Sequence, residues 1–234
     1  MNMMAPHSTH ADLDRPIWTA LTTRQAPLGQ GDALARRYHP DVAPFAALAS
    51  ETPAAYEALR QLLQPQELVA LLSLKPLHVT EALRVEQVAT IHQMIATRQV
   101  AATSDDLDVI RLGSADSTEM LDLAQRTKPG PFARRTHEMG HYIGVRDEGR
   151  LIAMAGERMC MDGYVEISAV CVDDAWRGKG LAGRLIDILR KEIGQRGETP
   201  FLHVLDHNTN AIRLYERLGF ELRRTFVLSR IARA

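Results

Sequence analysis

Three glycines within six residues, Gly178, Gly180 and Gly183, separate an apolar run at 164–172 from an amphipathic stretch at 181–193. In the latter, Leu181, Leu185, Ile188, Leu189 and Ile193 lie on one stripe, with Gly194 and Gly197 beyond it, which predicts a helix that buries one face. A strand, a glycine turn and such a helix form a crossover unit, and the helix needs a sheet to pack on. The turn also suits an anion. Free amides at a helix N-terminus point outward, the macrodipole favours negative charge, and a missing Cβ lets oxygen atoms approach the backbone. Arg177 and Lys179 add charge beside it.

Two nucleotide motifs compete for this turn. A P-loop needs Ser or Thr after its lysine, and Lys179 is followed by Gly180, so that reading fails. Gly178, Gly180 and Gly183 do satisfy Gly-x-Gly-x-x-Gly, and Asp206 follows the next predicted strand, where a ribose-binding acid belongs. Against a dinucleotide, residues 173–177 intervene between strand and turn. The chain after Asp206 is also too short for the second half of a doubly wound sheet. A surface turn without a ligand is the bland alternative.

The rest of the 234 residues divides into two regions. Residues 108–234 predict strands at 109–112, 142–146, 151–156, 164–172 and 201–205 and helices at 117–125, 181–193 and 209–218, with a closing pair of strands over 220–231. This is an α+β pattern, a mixed, mostly antiparallel sheet with one crossover. Residues 1–107 read as a smaller α/β domain, with a tail over 1–14, a helix at 52–63, a strand at 68–74 and an ambiguous segment at 83–96 that leans to strand. The Ala, Thr, Ser and Asp of residues 101–108 mark a linker. A net charge of −1 argues against a general nucleic-acid or membrane-surface binder. Two cysteines, Cys160 and Cys171, offer neither a disulfide framework nor metal-binding spacing, so no metal is expected. The start carries no secretory pattern, and the expected compartment is the cytoplasm.

Val170, Cys171 and Val172, followed by Arg177, Gly178, Lys179, Gly180, Leu181, Ala182 and Gly183, resemble the acyl-CoA-binding motif of the GNAT superfamily of N-acyltransferases, Arg or Gln, x, x, Gly, x, Gly or Ala. Asn208 and the run Ala211, Leu214, Tyr215, Glu216, Leu218, Gly219 and Phe220 are similar to that superfamily's last helix and the strand after it. The resemblance covers 108–234 and departs at Asp174, where many relatives have Pro.

The resemblance implies a GNAT-type sheet and transfer of an acetyl group from acetyl-CoA to a primary amine of a small molecule or amino acid, directly in a ternary complex. A bulge would splay strand 164–172 from strand 201–205, and the pantetheine arm would lie in the gap on backbone groups of Val170 and Val172. The pyrophosphate would rest on residues 178–183, with Asn208 contacting the cofactor as well as capping its helix. Tyr215 resembles the tyrosine that protonates the leaving thiolate, and it also fits a core position. The base is open between Glu166 and His203. By alternation Glu166 should share a face with Ser168, Val170 and Val172, with Cys171 opposite and no nucleophile. Arg134 and Arg135, in a loop at 127–136, suggest a carboxylate-bearing acceptor, or are simply solvated. An inactive CoA-binding sensor or partner-binding subunit is the alternative function. The N-terminal part reads as a degenerate copy of the fold or a cap over the acceptor site, and a homodimer is the base-rate expectation.

Overall fold

The computed structural model describes residues 10–98 and 107–234. Most of the predicted linker and the first nine residues lie outside the described residues. Helices are α1 (Pro16–Thr22), α2 (Pro53–Leu62), α3 (Ser117–Thr127), α4 (Leu181–Gln195) and α5 (Thr209–Arg217). Three short strands, β1 (Gly29–Gly31), β2 (Ala35–Tyr38) and β3 (Ala46–Leu48), form a small antiparallel sheet. The main sheet comprises β4 (Val69–Ser73), β5 (Leu83–Ala96), β6 (Ile110–Leu112), β7 (Tyr142–Asp147), β8 (Arg150–Met161), β9 (Tyr164–Val172), β10 (Thr199–Leu205) and β11 (Phe220–Arg233). Its order is β4-β11-β5-β10-β9-β8-β7-β6. Among the described residues every neighbouring pair in this sheet runs antiparallel except β9 and β10, which the α4 crossover joins in parallel.

Helix α4 lays Leu181, Leu185, Leu189 and Ile193 on one face of this sheet, against Val165, Ile167, Leu202 and Val204. The opposite face is covered twice. Met120, Leu123 and Ala124 of α3 pack over Met154, Ala169 and Cys171. The N-terminal segments bring Leu13, Ile17, Tyr38 and Phe45 onto Met159, Met161, Ile95 and Phe201.

Three expectations change here. The division at residue 107 does not separate two sheets, because β5 lies between β10 and β11 and β4 forms the edge beyond. Pairing satisfies the backbone groups of these N-terminal strands within the main sheet, so among the described residues β4 and β5 extend that sheet and form none of their own. Residues 220–231 are one strand with register shifts between Leu222 and Arg224 and between Leu228 and Ser229. No turn residue interrupts that run, and the extra residue at Arg223 is taken up as a bulge. Residues 10–14, read as part of a tail, form a short 3-10 turn that fully buries Leu13.

A buried Leu13 should behave as core. Leu13→Ala is expected to cost about 2–5 kcal/mol in chemical denaturation. A change within about 0.5 kcal/mol, typical of an exposed position, would contradict the packing of this segment.

Candidate active site

The site is built where β9 and β10 part. Their parallel ladder runs through Tyr164 with Thr199, Val165 with Pro200 and Glu166 with Phe201, and ends there. Beyond it, residues 167–172 of β9 and 202–205 of β10 have no pairing with each other, so the two strand edges bound a gap. On the other side of β9 the register with β8 shifts between Met154 with Cys171 and Gly156 with Ser168, a bulge centred on Ala169, whose φ is +52°. A bulge bends its strand and breaks alternation. Val165 and Ile167 face α4 before it and Val170 and Val172 after it, whereas Ala169 and Cys171 face α3. Glu166 therefore lies on the face opposite Val170 and Val172, contrary to the simple alternation.

The turn after β9 is held at both ends. Asp173 accepts from the amide of Ala175 and pairs with Arg126 and Arg150, and Asp174 pairs with Arg177 at 2.7 Å. Lys179 sits 3.9 Å over the Trp176 ring. Gly178 and Gly180 have φ of +79° and +77°, a region open to glycine without strain, and a Cβ at either would meet nothing within 4 Å. Gly180 caps α4 without a side-chain bond, which leaves the first amides of the helix without an intrahelical acceptor. Arg184, one turn on, has a buried Nη2 with no partner among the described residues. The sequence reading passed over it because it counted the charges flanking the glycines and not the next turn of the helix.

At the parting point lies a buried polar chain. Glu166 is fully buried and binds Arg158 through both oxygens, Nε to Oε2 at 2.8 Å and Nη2 to Oε1 at 2.5 Å. Its Oε1 also lies 2.7 Å from Nδ1 of His203. Burial alone would raise this carboxyl, but the guanidinium of Arg158 and the His203 contact outweigh it and hold it at about 2. Such a carboxylate is a poor proton acceptor near neutrality. Nε2 of His203 lies 3.2 Å from Nε2 of Gln93, which also donates to the carbonyl of Leu13 at 2.9 Å. Arg223 donates to Oε1 of Gln93 at 2.9 Å and pairs with Asp14 at 2.5 Å.

The sequence reading named Glu166 and His203 but not Arg158, Gln93 or Arg223. A signal existed in β8, where Glu157 and Arg158 interrupt a long apolar run, since buried charges require partners.

On the α4 side, Tyr215 of α5 packs on the cluster that contains Leu202 and Val204, with its ring 6.2 Å from Phe220. Burial raises its phenol, which keeps the proton on at neutral pH. Asn208 caps α5 by accepting from the Ala211 amide at 3.2 Å. Both cysteines are buried, with thiols pushed up to about 12 for Cys160 and about 11 for Cys171, chiefly by desolvation. Of the two loop arginines, Arg135 is bound to Glu138 at 2.8 and 2.7 Å, while Arg134 is exposed. The loop itself is tied to the N-terminal layer, since Thr136 donates to the carbonyl of Val42 and the amide of Arg135 to that of Asp41.

Comparison with known proteins agrees with this architecture. A crystal structure from Novosphingobium aromaticivorans, described as an acetyltransferase of the GNAT family, is 41% identical over 95% of this chain and 98% of its own, with a TM-score of 0.88. The chain belongs to the GNAT family. Within it, residues 142–228 match the family described as FR47-like protein. A GCN5-related N-acetyltransferase from Kribbella flavida shares the fold at 15% identity, covering 96% of each chain with a TM-score of 0.62. Among curated proteins, the spermine/spermidine N(1)-acetyltransferase of Bacillus subtilis is 29% identical over 93 residues, 35% of this chain and 61% of that protein. Membership of this family makes the chain an acyltransferase. No helix among its described residues is long and apolar enough to cross a membrane.

The Glu166 ion pair links stability to pH. A carboxyl lowered from 4.5 to about 2 stabilises the fold above the unfolded value, and that contribution is lost as the pH falls from about 4.5 towards 2. Glu166→Gln leaves Arg158 buried and unpaired, so urea unfolding at pH 7 should show a loss of about 3–5 kcal/mol. The difference between wild type and variant should shrink in the same measurement at pH 3.5. A constant difference would show that the carboxylate is not the group held down.

Proposed function

We propose that the chain transfers an acetyl group from acetyl-CoA directly to a primary amine of a small molecule or amino acid, with His203 as the base and Tyr215 as the acid. The observation that carries this reading is the parting of β9 and β10 with His203 and Glu166 at its apex. The residues present fit acetyl-CoA. Uncapped amides of Leu181, Ala182 and Gly183, with Arg177, Lys179 and Arg184 around them, suit a pyrophosphate. The free edge of β9 at Val170, Cys171 and Val172 suits a chain of amides, and Asn208 stands at the start of α5 beside it in the family pattern. Acetyl-CoA supplies an activated thioester carbonyl.

The chain's own groups supply the rest. The backbone amide of Val170 is assigned to the developing negative oxygen, where one such donor contributes about 3 kcal/mol. Tyr215, protonated at neutral pH and on the α4 side, is assigned the delivery of a proton, and His203, on the opposite side, the removal of one at Nε2, which must first part from the Gln93 amide. An imidazole is a common general base. Glu166 then acts as a positioning residue that holds Nδ1. Buried, raised thiols leave no cysteine nucleophile, which supports direct transfer.

The acceptor class is set broadly. The relative from Bacillus subtilis is named for spermine and spermidine, so polyamines belong beside amino acids among the acceptors assayed. The reaction is assigned to the cytoplasm.

The test is a thermal melt with acetyl-CoA and CoA, followed by thiol release with polyamines and amino acids. Wild type should melt higher with both ligands, by about 2.7 kcal/mol at 100 times the dissociation constant, and release thiol with at least one amine. His203→Gln should keep the melting shift and lose about 100- to 10,000-fold in kcat/KM. Ligand binding with no thiol release across the panel would favour a CoA-binding sensor, and full activity in His203→Gln would place the base elsewhere.

A further inference from the structure

A cavity of about 420 Å³ lies where the end of β3, the end of β4 and the start of α1 fail to close on one another. Ile17, Leu48, Leu71 and Leu77, all buried, give it an apolar floor, and the half-buried Trp18 and the exposed Leu74 stand at its rim. Close-packed interiors leave few voids larger than a water molecule, whereas small-molecule sites run to about 300–1,000 Å³ with mostly apolar walls and a few polar groups. The cavity is separate from the opening between β9 and β10. Strand β4 stands three places from β10 in the sheet order, about 14 Å at the spacing of paired strands.

The charged groups of the wall are unevenly matched. Asp14 is bound to Arg223 at 2.5 Å and to Arg224 at 3.1 Å. The Ser73 hydroxyl is spent on the carbonyl of Lys75 at 2.6 Å. Arg15 donates to the carbonyl of Leu48 and lies 5.2 Å over the Trp18 ring. Among the described residues neither Arg15 nor Lys75 meets a carboxylate, so two cations stand against Glu51 alone. Although solvent reaches Arg15, its surroundings lower the guanidinium below its ordinary value, so an anion beside it would recover what desolvation costs.

We propose that this cavity is a second binding site, for a small organic acid whose apolar body fills the floor and whose carboxylate is met by Arg15 and Lys75. A guanidinium presents parallel N–H donors that match the two oxygens of a carboxylate, and an ammonium adds a point charge. A plain amine would meet two like charges there, and a neutral apolar molecule would leave both cations unanswered. Through Asp14 the cavity shares a wall with the polar chain of Arg223 and Gln93, but the site needs neither acetyl-CoA nor His203.

The experiment titrates phenylacetate into the full chain and follows the emission of Trp18. The chain has two tryptophans, so Trp176→Phe leaves Trp18 as the reporter. Phenylacetate should change that emission along a saturable curve, and phenylacetamide, of the same shape without the charge, should bind at least about tenfold more weakly. Arg15→Gln combined with Lys75→Gln should weaken phenylacetate by a similar factor. Glu51→Gln, which removes the opposing charge, should bind it at least as tightly. Ala47→Leu, which adds bulk to the cavity wall, should abolish the change while the chain still melts cooperatively. Saturating acetyl-CoA should leave the phenylacetate curve where it was. None of these readouts requires thiol release, so the outcome is independent of acetyl transfer. No saturable change, equal binding of the amide, undiminished binding in the double variant or weaker binding in Glu51→Gln would overturn the site. Competition by acetyl-CoA would place the probe in the opening and overturn it as well. If Ala47→Leu does not fold, the charge variants, all at exposed positions, carry the test.

Discussion

The loss of pairing between β9 and β10 beyond Glu166 and Phe201 is the constraint on which the rest of the structure depends. A parallel pair in the middle of a sheet normally satisfies both strands along their length, because unpaired backbone groups are costly away from water. Here the ladder stops after three residue pairs. The Ala169 bulge bends β9 where its pairing with β10 has ended, and β10 stays with β5. An opening inside a sheet exposes polar strand edges next to an apolar core. A ligand that is itself a chain of amides can satisfy such edges without unfolding anything around them.

Charge placement around the opening follows from the same constraint. Glu166 is the last residue of β9 paired with β10, His203 lies two residues past the last such pair on β10, and both face away from α4. Burying a carboxylate there is tolerable only because Arg158 binds it through two bonds and His203 through a third. The network then continues through Gln93 to the half-buried Arg223 and Asp14, so both of its arginines meet an anion and the neutral amide lies between the two pairs. Tyr215 is kept out of this network by the sheet itself. One side of the opening therefore carries a phenol held protonated by burial, and the other an imidazole held between a carboxylate and an amide.

The N-terminal layer is needed for this arrangement. Phe45 lies 5.0 Å from the Arg158 guanidinium, Leu13 supplies the carbonyl that fixes Gln93, and Asp14 holds Arg223. Residues 41 and 42 anchor the loop before β7. Strands β4 and β5 extend the same sheet. A domain that merely sat beside the acyltransferase part would supply none of these contacts.

Much of the fold was legible in the chain because short-range patterns carried it: the α4 stripe, the glycine turn, the apolar run of β9 and the Asn208 cap all depend on neighbours within one or two turns. The expectation for α+β architecture and for the family rested on the same stretches. The partners of those residues were not legible. Whether 83–96 joins the main sheet depends on pairing with strands more than a hundred residues away, and a composition shift at 101–108 carries no information about that. Alternation placed Glu166 with Val170 and Val172, and one extra residue at Ala169 reversed it. The sequence by itself determined helices α2 to α5, the apolar strand β9 and the glycine turn between β9 and α4, since local spacing and missing side chains decide those. Only the tertiary structure decided that Glu166 is an ion-paired support and that His203 faces a donor, because a side chain's protonation follows from burial and from groups brought to it across the sheet.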